Sequence, residues 1–182
     1  MAQNAPETII LAEDEASVYL QATTCAVWAP KGQPPVIRVH PGREMTHFYG
    51  TLNLLTGDEH AQHGPLMNSE ATAQHLEQLL AAYPERPLLL FWDRAPWHRG
   101  AAVREVLAAN PRLEVLFFPT ATPDLNPQEH VWKAVRSAIS HNHNETQLSH
   151  LAERFAEHLK TTTFEYSFLE KFNFVDLCDR FK

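Results

Sequence analysis

Cysteine is nearly missing from this 182-residue chain, with Cys25 and Cys178 the whole supply. Two thiols without metal-motif spacing exclude a disulfide framework and a cysteine-rich zinc site, which leaves a reducing cytoplasm as the simplest setting. Basic charge is also short. Fifteen Lys and Arg stand against 22 Asp and Glu, a formal net charge of −7, the wrong sign for a chain expected to hold nucleic acid unaided. Either the partner is not nucleic acid, or basic parts elsewhere supply the grip. Long apolar runs are missing as well: nothing approaches the ~20 residues that cross a bilayer. The start, Met1 to Pro6, has neither a basic nor an apolar secretory segment, so no membrane association is expected. No repeat or low-complexity stretch is present, and the Pro-rich segments near 29–42 and 119–127 are too short for interdomain linkers. A hydrophobic content of 44 % then fits one globular domain over residues 1–182.

What is there reads as a mixed order of elements. Thr8 to Ala12 is β-branched and apolar and predicts a strand carrying Glu13, Asp14 and Glu15 at its far end. Segments near 25–28 and 35–39 are spaced for a hairpin around Pro30-Lys31-Gly32. Thr46 to Leu55 and residues near 59–66 follow as strands around the turn Thr56-Gly57-Asp58. Leu76, Leu79, Leu80 and Tyr83 then recur at helical spacing behind a Ser69 N-cap, and Pro84 ends the pattern. Leu88 to Trp92 is short, continuously apolar and bounded by proline and charge, as suits a strand buried on both faces. A helix over about 99–109, a strand over Leu113 to Phe118, a helix capped by Asn126 with Pro127 at N1, and a last helix near 146–160 complete the chain. The strand–helix–strand unit implies a right-handed parallel crossover. This is the order of an α/β ribonuclease-H-like fold: a mixed central sheet, three antiparallel strands and then parallel ones, flanked by helices.

Three acids stand out in that order. Asp93 ends the buried strand, Glu129 follows after thirty-five intervening residues in the first turn of the third helix, and Asp14 lies at the end of the first strand. Carboxylates converging from separate elements repel one another when bare, and divalent cations relieve that repulsion. Two Mg²⁺ ions held this way activate a water or 3′-hydroxyl and stabilise the leaving oxygen of a phosphodiester.

The words around these acids are distinctive. Asp93-Arg94-Ala95-Pro96-Trp97-His98 and Phe118-Pro119-Thr120-Ala121-Thr122-Pro123-Asp124-Leu125-Asn126-Pro127-Gln128-Glu129-His130-Val131-Trp132 closely resemble the DDE transposases of mariner-related bacterial insertion sequences. Glu13-Asp14-Glu15 and Val27 to Gln33 are similar too, and the likeness runs from about Ile9 to Ile139. The resemblance implies that Asp14, Asp93 and Glu129 are the catalytic, metal-binding acids, with two Mg²⁺ or Mn²⁺ ions as cofactors. It implies cleavage at transposon ends, strand transfer to target DNA, a homodimer in the active complex, and a cytoplasmic protein acting on chromosomal DNA. The chain departs from the family in having Arg94 where Asn is usual. Family members also carry a helix-turn-helix domain ahead of the catalytic one, and here Met1 lies thirteen residues before Asp14. The expectation is a catalytic domain without that part, as a second-frame product, a fragment or a remnant, partnered by a helix-turn-helix protein from an upstream frame. The alternatives are an inactive truncated or domesticated binding module, or a ribonuclease-H-type nuclease on RNA/DNA hybrids.

Each residue also has a plainer reading. Glu129 at N3 after Asn126 is placed for a capping box, Asp93 for opening a turn, and Asp14 for a solvated strand end; Asp58 and Asp124 suit turns. Lys133 and Arg136 on the third helix are candidates for DNA phosphates or for a solvated Glu–Lys pair. His98 and Arg99 are candidates for substrate contact or surface residues at a helix start. His60, His63, His141 and His143 lack a zinc-site context and read as surface residues. Trp28, Trp92 and Trp132 read as core or edge packing.

Overall fold

A computed structural model describes residues 8–120 and 122–164. Cys178 lies outside the described residues. Five strands form one sheet in the order β3-β2-β1-β4-β5. β1 (Ile9–Tyr19), β2 (Met45–Asn53) and β3 (Glu59–Gly64) pair antiparallel, while β4 (Leu88–Trp92) lies parallel to β1, and β5 (Leu113–Phe117) parallel to β4. The mixed sheet expected from the element order is present.

Helices cover both faces because the strands present apolar side chains to both. Ile10, Ala12, Ala16, Val18, Phe48 and Leu52 pack against α3 (Pro127–Val135) and α4 (Leu148–Thr161) through Val131, Trp132, Val135, Leu151 and Phe155. On the other face Leu11, Leu88, Leu90 and Trp92 meet α1 (Ser69–Ala82) and α2 (Ala101–Ala109) through Leu76, Leu79, Val103 and Val106. Trp92 and Trp132 are core residues as expected.

Several boundaries differ from the sequence expectation. β1 does not stop at its acids but runs on to Tyr19. The expected hairpin near 25–39 is absent: only the turn closed by Gln33 N–H to Pro30 O forms, with Gly32 at φ 80°. Pro30, Pro34 and Pro35 cannot donate to a ladder. The segment is exposed, and Trp28 on it is fully so, contrary to the packing role expected for it. The N-cap of α1 is Asn68, whose Oδ1 accepts from Ala71 N–H at 2.9 Å, rather than Ser69. A 3₁₀ turn at Pro96–Arg99 precedes α2, and a π-helical turn at Arg136–Ser140 follows α3.

Candidate active site

The register of β1 on β4 sets up the site. Their printed pairs run from Ile9 with Leu88 to Ala12 with Phe91, and carrying that register two residues further brings Asp14 level with Asp93. Neighbouring strands lie ~4.8 Å apart, so the two aspartates leave the sheet side by side. Both have the parity of the residues that face α3.

Glu129 reaches them because α3 is pinned to β1. Asn126 caps the helix by accepting from Gln128 N–H at 3.1 Å, and its own Nδ2 donates to the Glu13 carbonyl at 3.2 Å. Gly50, paired with Asp14 on β2, permits the close approach: a Cβ there would collide with the Gln128 amide, the Trp132 ring and the Glu59 carboxylate. The capping-box role expected as the plain reading of Glu129 is taken by another group, since Asn126 N–H donates to Pro123 O at 2.9 Å.

Asp14, Asp93 and Glu129 thus line one hollow of about 310 Å³, together with Arg94, Phe118, Thr120, Thr122 and Asn126. Its electrostatics follow from the crowding. Burial first, then the negative charges of Glu129, Glu15 and Asp93, push the Asp14 carboxyl up to about 8. Asp93 is shifted the opposite way, chiefly by its hydrogen bond with His98, and its Oδ1 also accepts from Ala95 N–H at 2.7 Å. The turn-opening reading of Asp93 therefore holds together with its place in the cluster. Acid oxygens that destabilise one another in a polar hollow are a donor set suited to hard divalent cations.

A second cluster lies behind the first. Glu13 and Glu15 point to the opposite face of β1, and with His98 they bring three ligand-type atoms within 4.8 Å of one another. Nε2 of His98 lies 3.1 Å from Glu15 Oε1 and 3.5 Å from Glu13 Oε2, and Nδ1 lies 3.2 Å from Asp93 Oδ1 and 3.3 Å from the Asp93 carbonyl. Both ring nitrogens face acceptors, so both carry protons. Burial alone would lower the His98 value, but the bonds to Asp93 and Glu15 and the charge of Glu13 outweigh it and raise it to about 10. An imidazolium therefore occupies the centre of this cluster.

This placement corrects one sequence expectation and adds a residue. His98 is only 3 % exposed, so it is neither a DNA contact nor a surface residue. Period-3.6 reasoning along one helix could not foresee that β1 would supply its partners. Arg99 and Lys133 are exposed and Arg136 half-buried, and Arg136 borders a different hollow with Ser17, Tyr19 and His141. The cation that lines the acid hollow is Arg94, its guanidinium 5.3 Å above the Phe117 ring. Its departure from the family wording was the available signal. His143, expected at the surface, is buried.

Comparisons with known proteins agree with this geometry. The family model described as DDE superfamily endonuclease matches residues 10–165. The uncharacterized 39 kDa protein of insertion element IS630 from Shigella sonnei is 26 % identical over 153 residues, spanning 83 % of this chain and 44 % of that protein. Among solved structures, the mariner Mos1 paired-end complex with Mg superposes with a TM-score of 0.68 at 17 % identity, covering 94 % of this chain and 54 % of that one. The Mos1 transposase catalytic domain with Raltegravir and Mg gives 0.61 at 16 % identity, covering 87 % and 74 %. The chain thus spans about half the length of the full-length proteins it matches, and the ribonuclease-H-like fold is shared.

Proposed function

The chain belongs to the DDE superfamily endonucleases, and from that premise we propose that it is a transposase catalytic domain that cuts DNA at transposon ends and joins the freed 3′-hydroxyl to target DNA. The observation that carries this reading is the convergence of Asp14, Asp93 and Glu129, from two strand ends and a helix start, on one hollow. Asp14, Asp93 and Glu129 would hold two Mg²⁺ or Mn²⁺ ions. Bound there, such ions supply Lewis-acid stabilisation of the attacking and leaving oxygens in an in-line displacement at phosphorus.

The chain's own groups account for the rest. Asp14 gives up the proton it holds up to about pH 8 when it becomes a ligand, so cation binding and deprotonation are one event. Asp93 needs no such step, because its Oδ1 is already held by the Ala95 amide and His98. Arg94, at the same hollow, meets the phosphate and offsets its charge. Arg99 and Lys133 are exposed enough to touch DNA further out. No Ser or Tyr nucleophile is required, because water and then a 3′-hydroxyl attack directly. With a net charge of −7, recognition of transposon ends falls to a helix-turn-helix part and to pairing of two copies.

The test is single-strand cleavage of transposon-end DNA in Mn²⁺ by Asp14→Asn, Asp93→Asn and Glu129→Gln chains, each checked for folding. Each loses about 10²–10³-fold in rate, the scale of removing one charge-stabilising group. Full activity in any variant removes that residue from the triad. Equal cutting of RNA/DNA hybrids lacking transposon ends would point instead to a hybrid nuclease.

A further inference from the structure

The family reading uses the front of the site and leaves the buried His98 cluster without a task. Four observations bear on it. The imidazole stacks on Trp92 at 4.3 Å between centroids and 5° between planes, which fixes its position over the end of β4. Nε2 is held by Glu15, whose Oε1 is itself held by the Trp97 indole N–H at 2.6 Å. Nδ1 faces the catalytic-face aspartate, Asp93, at 3.2 Å. Both Glu13 oxygens are buried with no hydrogen-bond partner among the described residues, burial holds its carboxyl well above the usual range, and His98 Nε2 lies 3.5 Å from its Oε2. A buried imidazole with a carboxylate oxygen at 3.1 Å from one nitrogen and 3.2 Å from the other is an orienting device, of the kind that sets metal-ligating side chains from behind.

We propose that His98 is a positioning residue for the reaction, passing the fixed placement of Trp97 and Glu15 through its ring to Asp93, so that Oδ1 is occupied and Oδ2 is the atom offered to the cation. This rests on the reading of Asp93 as a ligand. The task needs two donors at imidazole spacing, one per nitrogen, and the two amide side chains divide them. In His98→Asn the amide nitrogen takes the place of Nδ1 and keeps the bond to Asp93. In His98→Gln it takes the place of Nε2, keeping Glu15 and releasing Asp93.

The decisive measurements use the full 182-residue chain. Melting in EDTA first establishes that both variants fold. Calorimetric titration with Mn²⁺ should then show affinity within about threefold of wild type for His98→Asn and a loss of about 10–100-fold for His98→Gln, the usual cost of removing a partner behind a ligand. The spectrum of bound Mn²⁺ changes in the Gln variant only. Equal losses in the two folded variants, or none in His98→Gln, overturn the proposal. A metal-free measurement separates this from the metal reading: ¹⁵N-imidazole NMR should show two slowly exchanging ring protons on His98, with the Nδ1 proton alone shifted by Asp93→Ala. A wild-type chain that binds no Mn²⁺ removes the metal reading. The ring protons still decide the clamp, and a single protonated nitrogen, or no response to Asp93→Ala, overturns it.

Discussion

Replacing Asp14 with Asn should stabilise the metal-free chain while removing a ligand from the proposed metal site. The folded chain raises the Asp14 carboxyl from 3.8 to about 8, so folding favours the protonated form. The sign follows from linkage: the contribution of a raised carboxylate is fully present below pH ~4 and lost as pH rises through the folded value. At ~1.4 kcal/mol per unit, the ionisation penalty has a ceiling of about 4 kcal/mol at pH 7. Asp14 is only half-buried in the open hollow, and water reaching it reduces this to roughly 2 kcal/mol. Asn keeps the shape and removes the charge, so its melting temperature in EDTA at pH 7 should exceed wild type by roughly 4–8 °C. The assay is a set of thermal melts from pH 4 to 9. The difference between the two chains should be near zero at pH 4, widen as pH rises towards the folded Asp14 value and level off above it. A flat difference, or one that favours the wild type more as pH rises, refutes the burial of Asp14 and its crowding by Glu129, Glu15 and Asp93.

Three further outcomes follow from the same site. Mn²⁺ binding at pH 7 should release a fraction of a proton, at most about 0.9 for a folded Asp14 value of about 8, falling towards zero at higher pH, because Asp14 must ionise to bind; calorimetry in buffers of different ionisation enthalpy measures it, and pH-independent release contradicts it. Gly50→Ala should cost roughly 1–3 kcal/mol, the scale of overpacking, and slow cleavage further by lifting α3 and Glu129 from Asp14; a crystal structure of the variant with α3 unmoved would count against this. Arg94→Ala should weaken binding to transposon-end DNA and reduce the salt dependence of log Kd by about one phosphate contact, with melting temperature unchanged; an unaltered salt slope dismisses the contact.

The sequence carried the front of the site better than its back. β4 was legible because a strand covered on both faces needs five apolar residues in a row, and α3 because Asn126 and Pro127 are strong start signals. β1 was read short because Glu13, Asp14 and Glu15 look like a solvated end. They lie within the sheet because helices and His98 receive them, and those partners come from far along the chain, 83 residues from Glu15 for His98 and 113 from Glu13 for the α3 cap. The 25–39 hairpin failed for a local reason: Pro30, Pro34 and Pro35 crowd its turn and the start of its second arm and cannot donate to a ladder. His98 could not be placed at all from its neighbours, since its burial depends on Glu15, Trp97 and Trp92 meeting around it.

β1 sorts three consecutive acids onto two faces of the sheet: Asp14 to the hollow, Glu13 and Glu15 to the imidazolium. Side chains alternate with period two, so one inserted or deleted residue before Glu13 would exchange these roles. It would present two longer carboxylates to the hollow and leave an aspartate facing His98. A frame of pairing that is ordinarily policed by oil and water is here policed by charge as well. A chain that slipped would lose its fold and the sorting of its acids by the same event, so whatever demand is placed on the site also guards the strand's alignment.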